Sequence, residues 1–270
     1  MSIRSKKIAE GKTKIIWEVP GTSKVLIESK DDITAGDGAK HDLLIGKAVP
    51  ATRTTVNCFK LLERAGIPNH FISEENDRTF RAKRVNMIPV ELVARRYGYG
   101  SYLKRHPEVA RGAHLGGLVL EYFAKDDPNH DPILAYDFDR GVVRRHNAAQ
   151  PISPESLIDE EPITKSPFGL SRGELMQLGQ LTIATFKTLE AAWAKQDVVM
   201  ADLKIEAGRA PALVVADVID NDSWRLWPGG DPEQMMDKQL YREGRLPLDA
   251  IADKYALVAA ATDRFAELSM

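Results

Sequence analysis

Over residues 200–227, MADLKIEAGRAPALVVADVIDNDSWRLW, charged and apolar positions alternate. Asp202, Lys204 and Glu206 are two apart, so in a strand they share one face. Leu203 and Ile205 share the other face and can pack on a core. Gly208-Arg209-Ala210-Pro211 is a turn signal, and the run from Ala212 to Ile219 predicts a returning strand. Pairing symmetric about that turn puts Asp217 opposite Asp202, on the face of Glu206. Three carboxylates and a lysine on one sheet face are costly unless something binds them. Mg²⁺ with nucleotide phosphates would do so, because hard cations take carboxylate oxygens. A solvated, charged sheet face is the alternative.

The same patterning divides the rest of the chain. Lys14 to Val19 and Lys24 to Lys30 predict a hairpin about Pro20-Gly21-Thr22. Asp31 to Gly38, rich in Asp and Gly, predicts a loop. Residues 40–66 predict helix with a break near Pro50, ended by Gly66 and Pro68. Thr79 to Val85 and Met87 to Arg95 predict strands. In 89–105 a strand carrying Glu91 runs into Arg95 and Arg96, a turn at Gly98 and Gly100, and a helix capped by Ser101. Residues 118–134 predict a strand ending in a polar loop. Residues 136–170 carry little pattern and suit a lid or partner-binding loop. Ser171-Arg172-Gly173-Glu174 is a capping box. It opens a helix to about Gln196 whose stripe (Leu175, Leu178, Leu181, Ile183, Phe186, Leu189, Trp193) is core. A last helix covers Leu248 to Leu268.

Composition narrows the class. The 270 residues are 43% hydrophobic and 28% charged, with a net charge of −2. That is ordinary for a globular chain and makes no electrostatic case for nucleic acid. No run approaches the ~18 apolar residues that a membrane span needs. The N-terminus has no secretory pattern. Cys58, the single cysteine, cannot form an intrachain disulfide and reads as a small core residue. The cytoplasm is the expected compartment.

Two further clusters suggest anion chemistry. Lys12 and Lys14 flank Thr13 beside Gly11, and two ammonium groups near close backbone suit a polyphosphate; lysines guarding an edge strand are the other reading. Arg95 and Arg96 before a helix start with a hydroxyl at Ser101 make an anion site, or else pair with surface acids. The Asp126–Asp131 loop with His130 lacks a second histidine at zinc spacing.

Six ordered segments carry a resemblance: EGKTK (10–14), DITAGDGAK (32–40), IPVELVARR…GSYLKR (88–105), FAKDDPNHDP (123–132), ADLKIEAG (201–208) and VIDNDSWRLWP (218–228). With these the chain resembles the phosphoribosylaminoimidazole-succinocarboxamide synthase, or SAICAR synthetase, family. The last segment is close to the form in the animal bifunctional enzyme, whose second, carboxylase domain this chain is too short to contain. The resemblance implies an α+β fold related to kinases and ATP-grasp enzymes. An antiparallel β lobe (1–88) and a larger α/β lobe (89–270) would flank an ATP cleft.

The implied reaction joins L-aspartate to the carboxylate of carboxyaminoimidazole ribonucleotide at the expense of ATP, through an acyl phosphate. The implied cofactors are ATP and Mg²⁺. Lys12, Thr13 and Lys14 would face the phosphates, Met87 the adenine, and Lys125 the nucleotide. Glu206 and Asp217 would hold Mg²⁺. Lys204 would bear on the transferred phosphate. Asp37, Arg95, Ser101, Asp222 and Arg225 would form the ribonucleotide site, with Arg95 and Ser101 on the 5′-phosphate and Arg225 also counted with the catalytic groups. The resemblance pairs Asp217 functionally with Glu206, so Asp217 would sit past the regular hairpin pairing or bridge to Glu206 through metal.

Three positions depart from the family: Tyr99 replaces a small residue beside the phosphate site, Ala207 replaces a phenylalanine behind Glu206, and Leu118 stands where proline is common. A different ATP-using ligase or kinase on this scaffold, and a non-catalytic nucleotide-binding protein, are the alternative functions. The sequence leaves open whether the chain forms a homo-oligomer.

Overall fold

The computed structural model of the protein describes residues 6–35 and 40–268. Five strands form the first antiparallel sheet: β1 (Lys7–Glu10), β2 (Lys14–Glu18), β3 (Lys24–Ser29), and, later in the chain, β6 (Phe71–Asn76) and β7 (Thr79–Lys83). Their order is β1-β2-β3-β7-β6. Between them, β4 (Asp32–Ala35) and β5 (Lys40–Leu43) make a separate two-stranded hairpin, followed by helix α1 (Ala48–Arg64). The Asp/Gly-rich segment expected to be a loop is strand over 32–35, and residues 40–43, expected to be helical, are strand as well, so the helix starts only at Ala48. Pro50 does not break a helix. It lies in the first turn of α1, where the backbone N–H groups have no intrahelical partner to lose. Gly66, at φ 70°, ends the helix as expected, with its N–H donating to Glu63 O at 3.0 Å.

The second sheet begins at β8 (Asn86–Tyr97), which leads to the short helix α2 (Ser101–Arg105). It continues with β9 (His114–Ala124), β10 (Ile133–Asp137), β11 (Val142–His146) and β12 (Leu157–Pro162). After helix α3 (Arg172–Ala194), β13 (Val198–Ala210), β14 (Ala212–Ala216) and β15 (Trp224–Pro228) complete it. The order is β12-β11-β10-β9-β8-β13-β14, with β15 also on β13. Helices α4 (Gln239–Arg242) and α5 (Leu248–Asp263) close the chain.

Residues 136–170 thus extend a sheet instead of forming a lid. Their pattern was faint because these outer strands carry charge on exposed faces. Arg144 bonds Asp137 and Glu160, and Arg145 bonds Asp126 and Asp159, so ion pairs replace apolar alternation as the cross-strand signal.

One apolar core joins both sheets. It runs from Val25, Ile27 and Phe80 through Phe59 and Leu62 of α1 to Leu203 and Ile205 of β13 and Trp193 of α3. The capping box at α3 is present, with Ser171 Oγ accepting from the Glu174 N–H and Glu174 accepting from the Ser171 N–H. Trp193 meets Trp224 and Phe265 edge-on, at centroid distances of 5.4 and 5.1 Å. Cys58 is fully buried in this core, and burial pushes its thiol well above the ordinary range.

Candidate active site

The site is built on β13. One edge of this strand pairs with β8, Asp202 opposite Arg95 and Glu206 opposite Glu91. The other edge is shared by two strands in tandem: β15 pairs with Val198 to Leu203, and β14 with Glu206 to Ala210. Between them residues 217–223 leave the sheet, and the Lys204 N–H bonds Ser223 O at 2.6 Å across the gap. The expected face of Asp202, Lys204 and Glu206 therefore looks onto an acidic loop carrying Asp217, Asp220 and Asp222. These residues line a cleft of about 1070 Å³, together with Lys12, Thr13, Lys14, Arg95, Ser101, Lys125 and Arg225.

The hairpin register differs from the expected one. Pairing is centred on Pro211, with Ala210 opposite Ala212 and Glu206 opposite Ala216, so Asp217 does not face Asp202. The turn glycine, Gly208, is a strand residue opposite Met87. A Cβ there would lie 2.6 Å from Val85 Cγ2, so glycine serves close packing rather than a turn. Asp217 follows the last paired residue in a left-handed conformation, φ 66°. Asp tolerates that region better than most residues, and buried His70 holds it there, its Nε2–H donating to Asp217 O at 3.0 Å. Burial among Phe59 and Phe80 lowers the His70 pKa to about 4, so the ring is neutral near pH 7.

At this end lysines and carboxylates pair one to one. Lys14 meets Asp217. Lys125 donates to Glu206 Oε1 at 2.5 Å and Lys204 to Glu91 Oε1 at 2.7 Å. Lys12, in a bend before β2 and not on its face as expected, meets Asp127 at 3.0 Å. Burial pulls the Lys204 and Lys14 ammonium groups down, but the neighbouring carboxylates more than offset it and hold both above the ordinary lysine value. Burial and the adjacent Asp217 charge push Glu206 up, while Asp217, despite its own burial, is held below the usual range, chiefly by Lys14.

The other end is a buried arginine network. Arg105 donates to Glu121 Oε1, and Glu121 Oε2 accepts from Arg95 Nε at 2.5 Å. Arg95 Nη1 donates to Asp202 Oδ2 at 2.9 Å, and the same oxygen accepts from Arg225 Nη1. Three guanidinium groups against two carboxylates leave net positive charge. Arg95 Nη2 reaches Ser101 Oγ at 3.4 Å. Ser101 does not cap α2; Gly100 holds that position. The hydroxyl is instead exposed at the cleft, beside Arg95.

Asp222 sits between these ends. It accepts from Lys238 Nζ at 2.7 Å and from the Tyr255 hydroxyl. Burial raises its carboxyl, but Lys238 and Lys47 win and hold it far below the usual range. Burial, with the Asp222 charge beside it, pushes Asp220 up to about 6. Of the other expected site residues, Met87 stands on β8 with 42% exposure and does not line the cleft. Asp37 lies outside the described residues. Glu121, Lys238, Tyr255 and His70 are site-supporting residues that local reasoning did not find. Each meets its partner from 16 to 147 positions away, and no spacing rule spans such separations.

Among the described residues no three His, Cys, Asp or Glu side chains converge as a complete metal cage. Glu206 and Asp217 supply two hard carboxylates next to lysines. That suits Mg²⁺, which binds through one or two carboxylates plus phosphate oxygens and water.

A family model described as SAICAR synthetase matches residues 7–256. The phosphoribosylaminoimidazole-succinocarboxamide synthase of Chloroflexus aurantiacus is 43% identical over 265 residues, covering 96% of each chain. The crystal structure of the synthase of that name from Ehrlichia chaffeensis superposes with a TM-score of 0.79 at 26% identity, covering 96% of this chain and 98% of its own. A SAICAR synthetase in complex with ADP superposes with a TM-score of 0.77 at 26% identity, covering 93% of this chain and 96% of its own.

Proposed function

Because the chain belongs to the SAICAR synthetase family, we propose that its cleft divides one reaction between two ends. The protein is an ATP-dependent ligase of purine biosynthesis that joins L-aspartate to carboxyaminoimidazole ribonucleotide. In the proposed sequence a carboxylate oxygen of the ribonucleotide takes the γ-phosphoryl group and ADP leaves. The aspartate nitrogen then bonds to the acyl carbon, the C–O bond to phosphate breaks, and the nitrogen sheds a proton.

The lysine end is the nucleotide end. Lys12, Lys14 and Lys125 exchange their carboxylate partners for phosphate oxygens, and Thr13 offers backbone contacts. Glu206 and Asp217 would hold Mg²⁺, which supplies charge neutralisation for the polyphosphate when bound. Lys204, anchored by Glu91, steadies the transferred phosphoryl oxygens; such transfer is mainly positioning and charge neutralisation. The adenine side is left to residues 1–88, with Met87, which stands outside the cleft lining, reached only at its edge, and residues 89–270 carry Lys125, Lys204, Glu206 and Asp217.

The arginine end is the ribonucleotide end. Arg95 and Ser101 receive the 5′-phosphate, and Asp222, Arg225 and Asp37 hold the remaining polar groups, with Arg225 aligning the substrate for reaction. A single buried cysteine fits a reducing compartment, and the cytoplasm is the one proposed.

The observation that supports this reading most is the convergence in one cleft of two carboxylates among lysines and a net-positive arginine network. The test is ADP release from purified protein given ATP, Mg²⁺, L-aspartate and carboxyaminoimidazole ribonucleotide. Release that needs both acceptor substrates is expected. ADP release indifferent to aspartate would sink the reading.

A further inference from the structure

Tyr99 was the departure that threatened the phosphate site, since its bulk stands between Gly98 and the Gly100-Ser101 helix start. The structure turns it the other way. The backbone at Gly98 is pinned to the segment before β9, with Gly98 N–H donating to Ala113 O and Gly112 N–H donating to Gly98 O, both at 2.8 Å. The side chain of Tyr99 then enters a second apolar cluster, separate from the main core and shared with Trp227, Tyr241 and Tyr255; its ring is 5.7 Å from that of Trp227 between centroids and the residue is 2% exposed. It does not line the cleft.

It faces Arg225. The guanidinium carbon of Arg225 stands 5.1 Å from the centre of the Tyr99 ring. Gly100, at φ 58°, passes so close to this group that a Cβ would lie 2.4 Å from Arg225 Nη2. The remaining holds on Arg225 are Asp202 at Nη1 and Gln239 Oε1 at Nη2, 3.1 Å. The ring is itself anchored. Arg111 stacks at 4.6 Å and donates to the Tyr99 hydroxyl, which in turn donates to Glu243 Oε1 at 3.4 Å. Glu243 Oε1 also accepts from Gln239 Nε2 at 3.0 Å. Contacts therefore close a circuit: Tyr99, Glu243, Gln239, Arg225 and back to Tyr99.

We propose that Tyr99 is a positioning residue for ribonucleotide binding, setting the orientation of the Arg225 guanidinium through its ring face. This rests on the reading of Arg225 as a ribonucleotide-binding residue. Desolvated cation–π contacts are worth enough to matter to a single arginine's orientation. A ring fixed at its hydroxyl loses little entropy in providing one. Because Tyr99 is away from the lysine end, its effect is confined to one substrate.

The test is steady-state kinetics on Tyr99→Phe, Tyr99→Leu, Arg225→Gln and the Tyr99→Leu/Arg225→Gln double variant, with KM measured separately for the ribonucleotide and ATP. Tyr99→Leu is expected to raise the ribonucleotide KM about tenfold, the size of a partly desolvated cation–π loss, with ATP KM little changed. Tyr99→Phe keeps the ring and restores a near-normal KM. In the Arg225→Gln background, Tyr99→Leu adds nothing further. Tyr99→Leu with a normal ribonucleotide KM while Arg225→Gln is impaired overturns the proposal alone. So does an equal loss in both backgrounds, or a parallel loss in ATP KM. A normal ribonucleotide KM in Arg225→Gln removes the premise and the proposal with it. Should Tyr99→Leu fail to fold, Glu243→Gln carries the test at a solvent-exposed position. It loosens Gln239 and Arg111 and is expected to raise the same KM; an unchanged KM overturns the proposal.

Discussion

The two ends of the cleft both set cations against carboxylates, but they build opposite devices. At the lysine end each ammonium has one carboxylate, and the lysines stay partly open, with the Lys125 and Lys204 side chains 41% and 37% exposed. A flexible point charge with one partner can trade it for a phosphate oxygen. At the arginine end each carboxylate is shared between two guanidinium groups, and Arg95, Arg105, Glu121 and Asp202 are nearly inaccessible. Planar forks locked from two sides hold their geometry before ligand arrives. One end is arranged to exchange partners during turnover, the other to present a fixed anion site.

The largest effect should come from breaking the exchanging end. Asp217→Asn is expected to lower kcat about 1000-fold, the scale of losing a key electrostatic group at a reacting centre. Single-turnover ADP formation measures it, and near-normal turnover would remove Asp217 from the metal assignment. Breaking the fixed end should instead cost the fold. Arg95→Met strands Glu121 and Asp202 in the interior, with an expected stability loss of about 3–5 kcal/mol in urea unfolding. Lys204→Met, at the more open end, should cost much less; equal losses would erase the contrast.

A third effect concerns pH. The His70 pKa is depressed to about 4 in the fold, below the ~6.5 of an unfolded histidine. Its contribution is therefore complete above pH 6.5. It is lost as pH falls toward 4, because the unfolded chain takes up the proton first. The full loss is about 3 kcal/mol. Urea unfolding between pH 7.5 and 4.5 should show this slope in the natural protein and a shallower one in His70→Gln. The smallest effect sharpens the comparison at a single pair. Lys125→Ala should cost less stability than Arg95→Met, because Lys125 is itself half open although its partner Glu206 is buried. It should still raise the ATP KM about tenfold, one lost charge-assisted bond. A large stability loss would mean that this lysine is structural.

Legibility in the sequence followed the range of the physics. The face of Asp202, Lys204 and Glu206 was readable because strand periodicity is local, and α3 because its cap and stripe are local too. The register of β13 with β14 was not. Gly208 looked like a turn residue, and the contact that demands it, with Val85, comes from another strand. Strands β10 to β12 were missed because their pairing is written in arginine–carboxylate bonds between segments. The arginine end was half legible: Arg95 and Ser101 stood out, but Glu121, which fixes both Arg95 and Arg105, gave no local sign. Tyr99 was read from its bulk, whereas its direction depended on Trp227 and Arg111.

The most direct measurement is calorimetric binding of two ligands to Asp217→Asn: ADP with Mg²⁺, and carboxyaminoimidazole ribonucleotide without metal. The account predicts that ADP with Mg²⁺ binds much more weakly than to the natural protein while ribonucleotide affinity stays within about twofold, less than the ~0.6 kcal/mol of thermal energy. Loss of ribonucleotide binding with ADP binding retained would contradict the division of the cleft into an exchanging nucleotide end and a fixed ribonucleotide end.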